Sequence, residues 1–477
     1  MLGALLAPAR RLEELARPAE PEMLAALRRR WEELPGHVKQ PAQLLGRRSV
    51  GCEGTHGVFP RCNLACTPCY HSREANQVRV DGAHTLVEVD RQLAYLRARR
   101  GPRAFAQLIG GEVTLLSPED HAATLQVMRA HGREPMSMSH GDFDWDYLRR
   151  LALGPDGRPR VARLSFAGHF DSLMLGRRDL PRPASERELN PYRRRFCELF
   201  QRLQREHGVR HYLAHTMTVT PRNLEQIAQV IRDCRHMGFR MFSFQPAAFV
   251  GDERRWREDY RTLTADLVWA QIERGAGTRL PWQAIQVGDT RCNRTAWGLQ
   301  VGDRWVPVLD DQVPADLAAR DGFFAHFAGV DFGAPRALLA ARLVRLAARH
   351  PHVVPLGLRW AGRLVRRAGV GRLVRHGARP LTFVMHSFMD AADVRPAWAL
   401  LQRGQPSDDP RIRATQERLA ACSYVMAHPQ TGELVPACAQ HAVLDPGENA
   451  ALRQLLPLRP TSGPGPAGSG RRPPQPR

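Results

Sequence analysis

Nine cysteines are spread very unevenly along the 477 residues. Cys52, Cys62, Cys66 and Cys69 crowd together, while Cys197, Cys234, Cys292, Cys422 and Cys438 are scattered. An odd number of cysteines in a long chain, four of them clustered, argues against a secreted disulfide framework and for metal or redox chemistry. The stretch RCNLACTPCYHSREAN sets Cys62, Cys66 and Cys69 in a C-x3-C-x2-C array. Three thiolates from one compact loop can hold three irons of a cubane cluster and leave the fourth iron open. An open coordination position is also what separates catalytic from structural metal sites. Zinc is the rival, with His71 or His56 as fourth ligand, but zinc favours paired C-x2-C knuckles and this loop has one such pair.

The elements around the array read as β/α units. Short apolar runs alternate with longer amphipathic stretches from Gly57 onward, which predicts a mainly parallel sheet. Candidate strands are Thr55–Pro60, Ala104–Ile109, Met136–Ser139, Val161–Phe166, Val209–Thr218 and Phe239–Phe244. Helices are expected around Leu86–Arg99, after Ser117-Pro118, around Asp144–Leu153, over Glu186–His207 and from Thr220 to about Met237. Ser117-Pro118-Glu119-Asp120 is a strong helix start: an N-cap, a Pro at the first position and two acids facing the dipole. Six units suit a partial or closed barrel. Residues 1–48 read as a helical N-terminal extension, 49–275 as the core, 276–458 as a smaller C-terminal module, and 459–477 as a Pro/Gly/Arg tail too polar to fold.

Composition sets outer bounds. Hydrophobic residues at 43% and charged residues at 25% are ordinary for a globular protein, and no apolar run is long enough to span a bilayer. The start, MLGALLAPARRLEELARP, fits a secretory signal poorly, so a cytoplasmic protein is expected. The net charge is +21, yet Lys39 is the sole lysine, so the Arg excess reads as compositional bias. From Gly333 to Arg379 there are eleven Arg and no acid, interleaved with Leu, Val and Ala at near-helical spacing. A basic amphipathic segment of this kind suits a membrane surface, and residues 333–379 are expected to make peripheral membrane contact; the alternative is a pair of ordinary surface helices. RNA is the rival anion, but few aromatics interleave to stack bases.

The C-x3-C-x2-C array after the first strand, with Gly110-Gly111-Glu112 after the second, resembles the radical S-adenosylmethionine superfamily over roughly Cys52–Ala248. The resemblance implies a partial (β/α)6 TIM-type barrel and a 4Fe-4S cluster on Cys62, Cys66 and Cys69. It further implies that the open iron binds S-adenosylmethionine, whose reductive cleavage gives a radical able to abstract hydrogen from an unactivated C–H bond. Gly110, Gly111 and Glu112 would hold the methionine amino group: glycines allow close backbone approach and a carboxylate suits an ammonium. Ser165, or His169 or Asp171 beside it, and Asn223 would reach the sugar or carboxylate of the cofactor. Where the family often has an aromatic residue before the last cysteine, this chain has Pro68. A flavodoxin- or ferredoxin-type reductant is implied as partner.

Toward the C-terminus, FVMHSFMDAADVRPAW and CSYVMAHPQTGELVPACAQH, over about Phe383–His441, resemble the terminal module of tetraether lipid synthases and related methyltransferases. A lipid or other apolar substrate follows from that resemblance, with an RNA- or cofactor-modifying methyltransferase or a non-catalytic metal-binding protein as alternatives. Cys292, Cys422 and Cys438 could carry a second iron–sulfur cluster, with Cys52 or an outside group as fourth ligand, or be buried and inert. Cys197 and Cys234 are expected in the core. His140, Asp142, His169, His215 and Gln245 fall near predicted strand ends and are candidates for substrate contact.

Overall fold

The computed structural model describes residues 17, 19–56, 58–69, 73–249, 260–428 and 430–458. Residues 1–16 of the expected N-terminal extension, His71 of the zinc alternative, and the tail from Arg459 lie outside the described residues.

Eleven strands form one sheet. In chain order they are β1 Cys52–Gly54, β2 Ala104–Leu108, β3 Arg133–Ser139, β4 Arg163–His169, β5 Arg210–Val219, β6 Met241–Pro246, β7 Asn293–Val301, β8 Arg304–Pro307, β9 Arg379–His386, β10 Tyr424–Ala427 and β11 Leu434–Pro436. Their order across the sheet is β8-β7-β9-β6-β5-β4-β3-β2-β1-β10-β11. The run from β9 through β10 is parallel throughout, and the hairpins β7–β8 and β10–β11 turn antiparallel at its two margins. The margins meet through side chains: Asn293, at the start of β7, donates to Ser423 Oγ (2.8 Å) just ahead of β10 and also contacts His386 at the end of β9.

The connecting helices start where local chemistry dictates. Helix α1 spans Pro21–Glu33, α2 Gly82–Arg100, α3 Pro118–Ala130, α4 Trp145–Ala152, α5 Asn190–His207 and α6 Ile227–Cys234. The side chains of Asp81, Ser117 and Asp144 accept from the backbone N–H groups of His84, Asp120 and Tyr147, capping α2, α3 and α4. Sheet and helices enclose an aromatic core in which the Phe166 and Phe200 rings lie 5.0 Å apart. Cys197 and Cys234 are buried in it, as expected. No helix among the described residues is long and apolar enough to cross a membrane.

Five of the six expected strands lie where the sequence puts them, within two or three residues at each end. The first differs: strand geometry covers Cys52–Gly54, and Thr55–Pro60 runs on as a loop. The reason is local. Thr55 substitutes its hydroxyl for the ladder by accepting from Ile109 N and donating to Ile109 O, both at 3.1 Å. The larger finding concerns the C-terminal segment. β9 pairs with β6 and β10 with β1, so residues expected in a separate module extend the core sheet at both edges.

Two helices of the C-terminal segment are Ala391–Gln402, α7, and Asp445–Leu455, α8, which follows a π-helical turn at Gln440–Leu444.

Candidate functional site

The cysteine loop lies at the C-terminal ends of the parallel strands, the end where barrels of this kind gather their chemistry. Five contacts hold it there. The carbonyls of Phe59 and Arg61 accept from Gly111 N and Glu112 N, both at 2.9 Å. Ala65–Cys66 forms a short antiparallel ladder with Met174–Leu175, beyond β4. Asn76 Oδ1 accepts from Cys62 N (3.0 Å), and His140 Nε2 meets Asn63 Oδ1 at 2.8 Å.

Cys62, Cys66 and Cys69 are half-buried and face one another. Leu64 N donates to Cys62 Sγ at 3.4 Å, and Cys66 is hydrogen-bonded to Cys69. Burial pushes the Cys62 thiol up to about 12. The bond to Cys69, with burial behind it, raises Cys66 well above a free thiol. A metal bound here must displace the protons of these thiols, because the ligand form is the thiolate. Among the described residues the one trio of Cys, His, Asp or Glu whose ligand atoms all lie within 4.8 Å of one another is His56, Asp445 and Glu448. Three soft thiolates from one loop are the donor set that a cubane iron–sulfur cluster with one open iron takes.

Gly110-Gly111-Glu112 does something different from what its residue types suggest. A Cβ on Gly111 would lie 2.0 Å from Arg61 O, and one on Gly110 2.4 Å from the Phe59 ring. The glycines thus admit the chain that leads into the cysteine loop. Glu112 is buried and fully engaged: Oε1 accepts from Thr114 N (3.0 Å), Thr114 Oγ1 (2.6 Å) and Ser139 Oγ (2.8 Å), and Oε2 from His140 N (2.8 Å). Burial works to raise its pKa, but His140 and these donors hold it below the usual carboxylate value. Burial also lowers His140, and its Nδ1 accepts from Asp142 N, so a neutral ring donates from Nε2 to Asn63. Glu112 therefore positions the loop through His140 and Asn63. Among the described residues no donor reaches the half-exposed carbonyls of Gly110 and Gly111.

Beside the loop, His169 Nε2 meets Asp171 Oδ2 at 2.6 Å, and Asp171 also accepts from Thr218 N and Leu173 N. Burial lowers the His169 pKa, but the Asp171 carboxylate outweighs it and the net shift is upward. Ser165 sits three residues into β4, so His169 and not Ser165 marks that strand's end; β4 runs to residue 169, past the expected stop. Asn223 is held within the scaffold. Its Nδ2 donates to Glu186 Oε1 (3.1 Å) and Thr218 O (2.9 Å), and its Oδ1 accepts from Thr220 N, closing the turn after β5. Glu186 in turn pairs with buried Arg193, whose Nε donates to His215 Nε2, so His215 belongs to this scaffold. Gln245 is a half-buried residue near the end of β6.

One residue the sequence did not single out stands closer to the site. Arg177 is buried, and its NH2 donates to the carbonyls of His140 (2.7 Å) and His169 (3.2 Å). Its Nε and NH1 are buried without a partner, and burial depresses its pKa against Asp142, Asp171 and Cys66 nearby. The Phe170 and Tyr192 rings flank the guanidinium at 5.1 and 5.5 Å. In a sequence, the Arg of LGRRD reads as solvent-facing.

His56 is engaged away from the thiols: Nε2 meets Ala427 O and Nδ1 meets Glu448 Oε2, both at 2.9 Å. Two acceptors on one ring require the imidazolium. Cys292, Cys422 and Cys438 share one neighbourhood under the β10–β11 hairpin, where burial raises all three thiols and each of the other two adds to Cys438. Cys292 Sγ accepts from Arg418 Nε (3.2 Å) and Cys422 Sγ donates to Tyr424 O (3.0 Å).

No protein-family model matches the chain, and no curated protein matches it. Solved structures that resemble it include anSMEcpe, an anaerobic sulfatase-maturating radical SAM enzyme, with bound AdoMet and the Cp18Cys peptide. That likeness has 13% identity and a TM-score of 0.31 and covers 46% of this chain and 57% of that one. A second, native anSMEcpe with bound AdoMet, has 14% identity over the same shares, also at 0.31. The chain thus spans 57% of the length of these structures, and a likeness at that TM-score carries no weight for fold or activity.

Proposed function

We propose that the chain is a radical S-adenosylmethionine enzyme whose 4Fe-4S cluster is held by Cys62, Cys66 and Cys69. The observation that carries this reading is the convergence of three half-buried thiols from one loop at the C-terminal ends of a parallel sheet. When bound, such a cluster supplies an electron that cleaves S-adenosylmethionine reductively and so starts hydrogen abstraction from an unactivated C–H bond.

The chain's own residues bind and orient. The bare carbonyls of Gly110 and Gly111 are the acceptors left for an ammonium group, because the Glu112 carboxylate is taken. Arg177 offers two orphaned donors in a buried setting, the natural partner of a carboxylate. Together they match the two ends of an amino-acid moiety. Glu112, His140 and Asn63 hold the loop in register, and Asn223 keeps the turn after β5 rigid through Glu186. The substrate is proposed to be a lipid or other apolar molecule, and a flavodoxin- or ferredoxin-type protein to be the electron donor. Cys292, Cys422 and Cys438 are the place for a second cluster.

Anaerobic reconstitution with iron and sulfide tests the metal. A brown protein with about four irons per chain, or about eight if the second group is loaded, supports the reading. A colourless protein holding zinc ends it.

A further inference from the structure

Helix α9 spans Arg336–Arg349, α10 Val353–Ala368 and α11 Val370–His376, and α10 carries a second apolar stripe on its outer face. An amphipathic helix of a soluble protein turns its apolar stripe to the core and its charges to water. In α10, Val354, Leu358 and Val365 fall on one stripe by their spacing of four and seven, and they are 43%, 69% and 40% exposed. The opposite face anchors the helix through Val353, Leu364 and Ala368 in small apolar clusters and through polar groups. Arg363 Nε and Arg367 NH2 bond the buried carboxylate of Asp316, Arg363 NH2 also donates to Ala315 O (2.7 Å), and Trp360 Nε1 donates to Val308 O (2.9 Å). Its α11 neighbour continues the pattern with Val370 and Val374 at 63% and 83% exposure.

Charge on these helices has one sign. Arg359, Arg366, Arg372 and Arg375 are exposed and form no ion pair among the described residues, and no acid occurs between 333 and 379. The turn between α9 and α10 borders a cleft of about 400 Å³ lined by Arg17, His326, Arg345, Arg349 and His350, again without an acid. His350 lies four residues before Val354, where the apolar stripe begins.

From this we propose that the outer face of α10 and α11 docks on an anionic phospholipid surface, with the aliphatic stripe in the headgroup boundary and the arginines on lipid phosphates. A nucleic acid would meet the arginines but leave the stripe in water, and Trp360, the one Phe, Tyr or Trp between 333 and 379, is turned inward. This inference stands on the helices alone and is independent of the cysteine loop's role.

The test is co-sedimentation of the full chain with vesicles of phosphatidylcholine, with and without phosphatidylglycerol. The protein should bind the phosphatidylglycerol vesicles, ignore pure phosphatidylcholine, and dissociate as salt rises. Leu358→Asp with Val365→Asp should weaken partitioning at least about tenfold and leave the melting temperature unchanged, since both side chains face solvent. Arg359→Gln and Arg366→Gln should each cost about fivefold, and excess inorganic phosphate should not compete. Absence of binding at low salt overturns the proposal. So does vesicle binding indifferent to the aspartates, or RNA binding with no vesicle binding, either of which would make the surface a phosphate binder only.

Discussion

Replacing Gly111 by Ala tests how the cysteine loop is held. The added Cβ would sit 2.0 Å from Arg61 O and 2.3 Å from Pro60 O, where ordinary contact begins at 3.4 Å. Both neighbours are backbone, so no side chain can swing aside; the loop must retreat by about 1.4 Å. That movement breaks the bonds from Gly111 N to Phe59 O and Glu112 N to Arg61 O, each worth roughly 0.5–1.5 kcal/mol. A loss of about 1–3 kcal/mol shifts the docked fraction of the loop roughly five- to hundredfold. Since Arg61 adjoins Cys62, the first cysteine moves with it. The assay is iron per chain after anaerobic reconstitution, read beside the thermal melt. Gly362→Ala is the control: Gly362 lies inside α10 with nothing within 4 Å of an added Cβ, so it should gain about 0.5–1 kcal/mol and load iron normally. Gly111→Ala protein that incorporates iron like the wild type, with an unchanged melt, would refute the reasoning.

Other consequences are equally open to measurement. Arg177→Met should abolish S-adenosylmethionine binding in equilibrium dialysis while iron content stays at the wild-type level; retained binding would remove Arg177 from the site. Glu53 and Arg133 form a doubly hydrogen-bonded pair at 2.8 and 2.9 Å, both fully buried, so Glu53→Ala should cost about 3–5 kcal/mol in urea unfolding, and adding Arg133→Met should restore part of it. Burial works against protonating His56, but the Glu448 hydrogen bond and charge raise its pKa above the unfolded value. Its contribution is therefore complete below about pH 6.5 and is lost as pH rises through the folded pKa, and Glu448→Gln should flatten that part of the urea-midpoint profile. Identical profiles would show that His56 is not charged in the fold.

Much of this arrangement can be read from residue types and spacing, and the parts that cannot share a physical cause. Strands β2 to β6 are legible because apolar runs bounded by helix caps are local features, and Ser117 and Asp144 cap where their patterns say. Pairing is not local. Nothing in TFVMH or YVMA says that β9 joins β6 and β10 joins β1, closing the core around residues expected in a module of their own. The loop cysteines are legible by spacing, but the partners of Glu112 are not: a Gly-Gly-Glu suggests a ligand carboxylate, whereas Thr114, Ser139 and His140 consume it. The partners of Asn223 are equally hidden, its amide bonded to Glu186 and Thr218. Ser165 lies inside β4 because that strand runs three residues past the apolar stretch that ends at Phe166. Arg177 illustrates the converse, since only tertiary packing shows that an arginine beside another arginine has lost its solvent.

The most direct test of the central claim is to reduce anaerobically reconstituted protein with dithionite in the presence of S-adenosylmethionine and measure 5′-deoxyadenosine. The account predicts formation by the wild type and none by a Cys62→Ala, Cys66→Ala, Cys69→Ala variant. Equal amounts from both, or none from a wild type that carries its full iron, would contradict it.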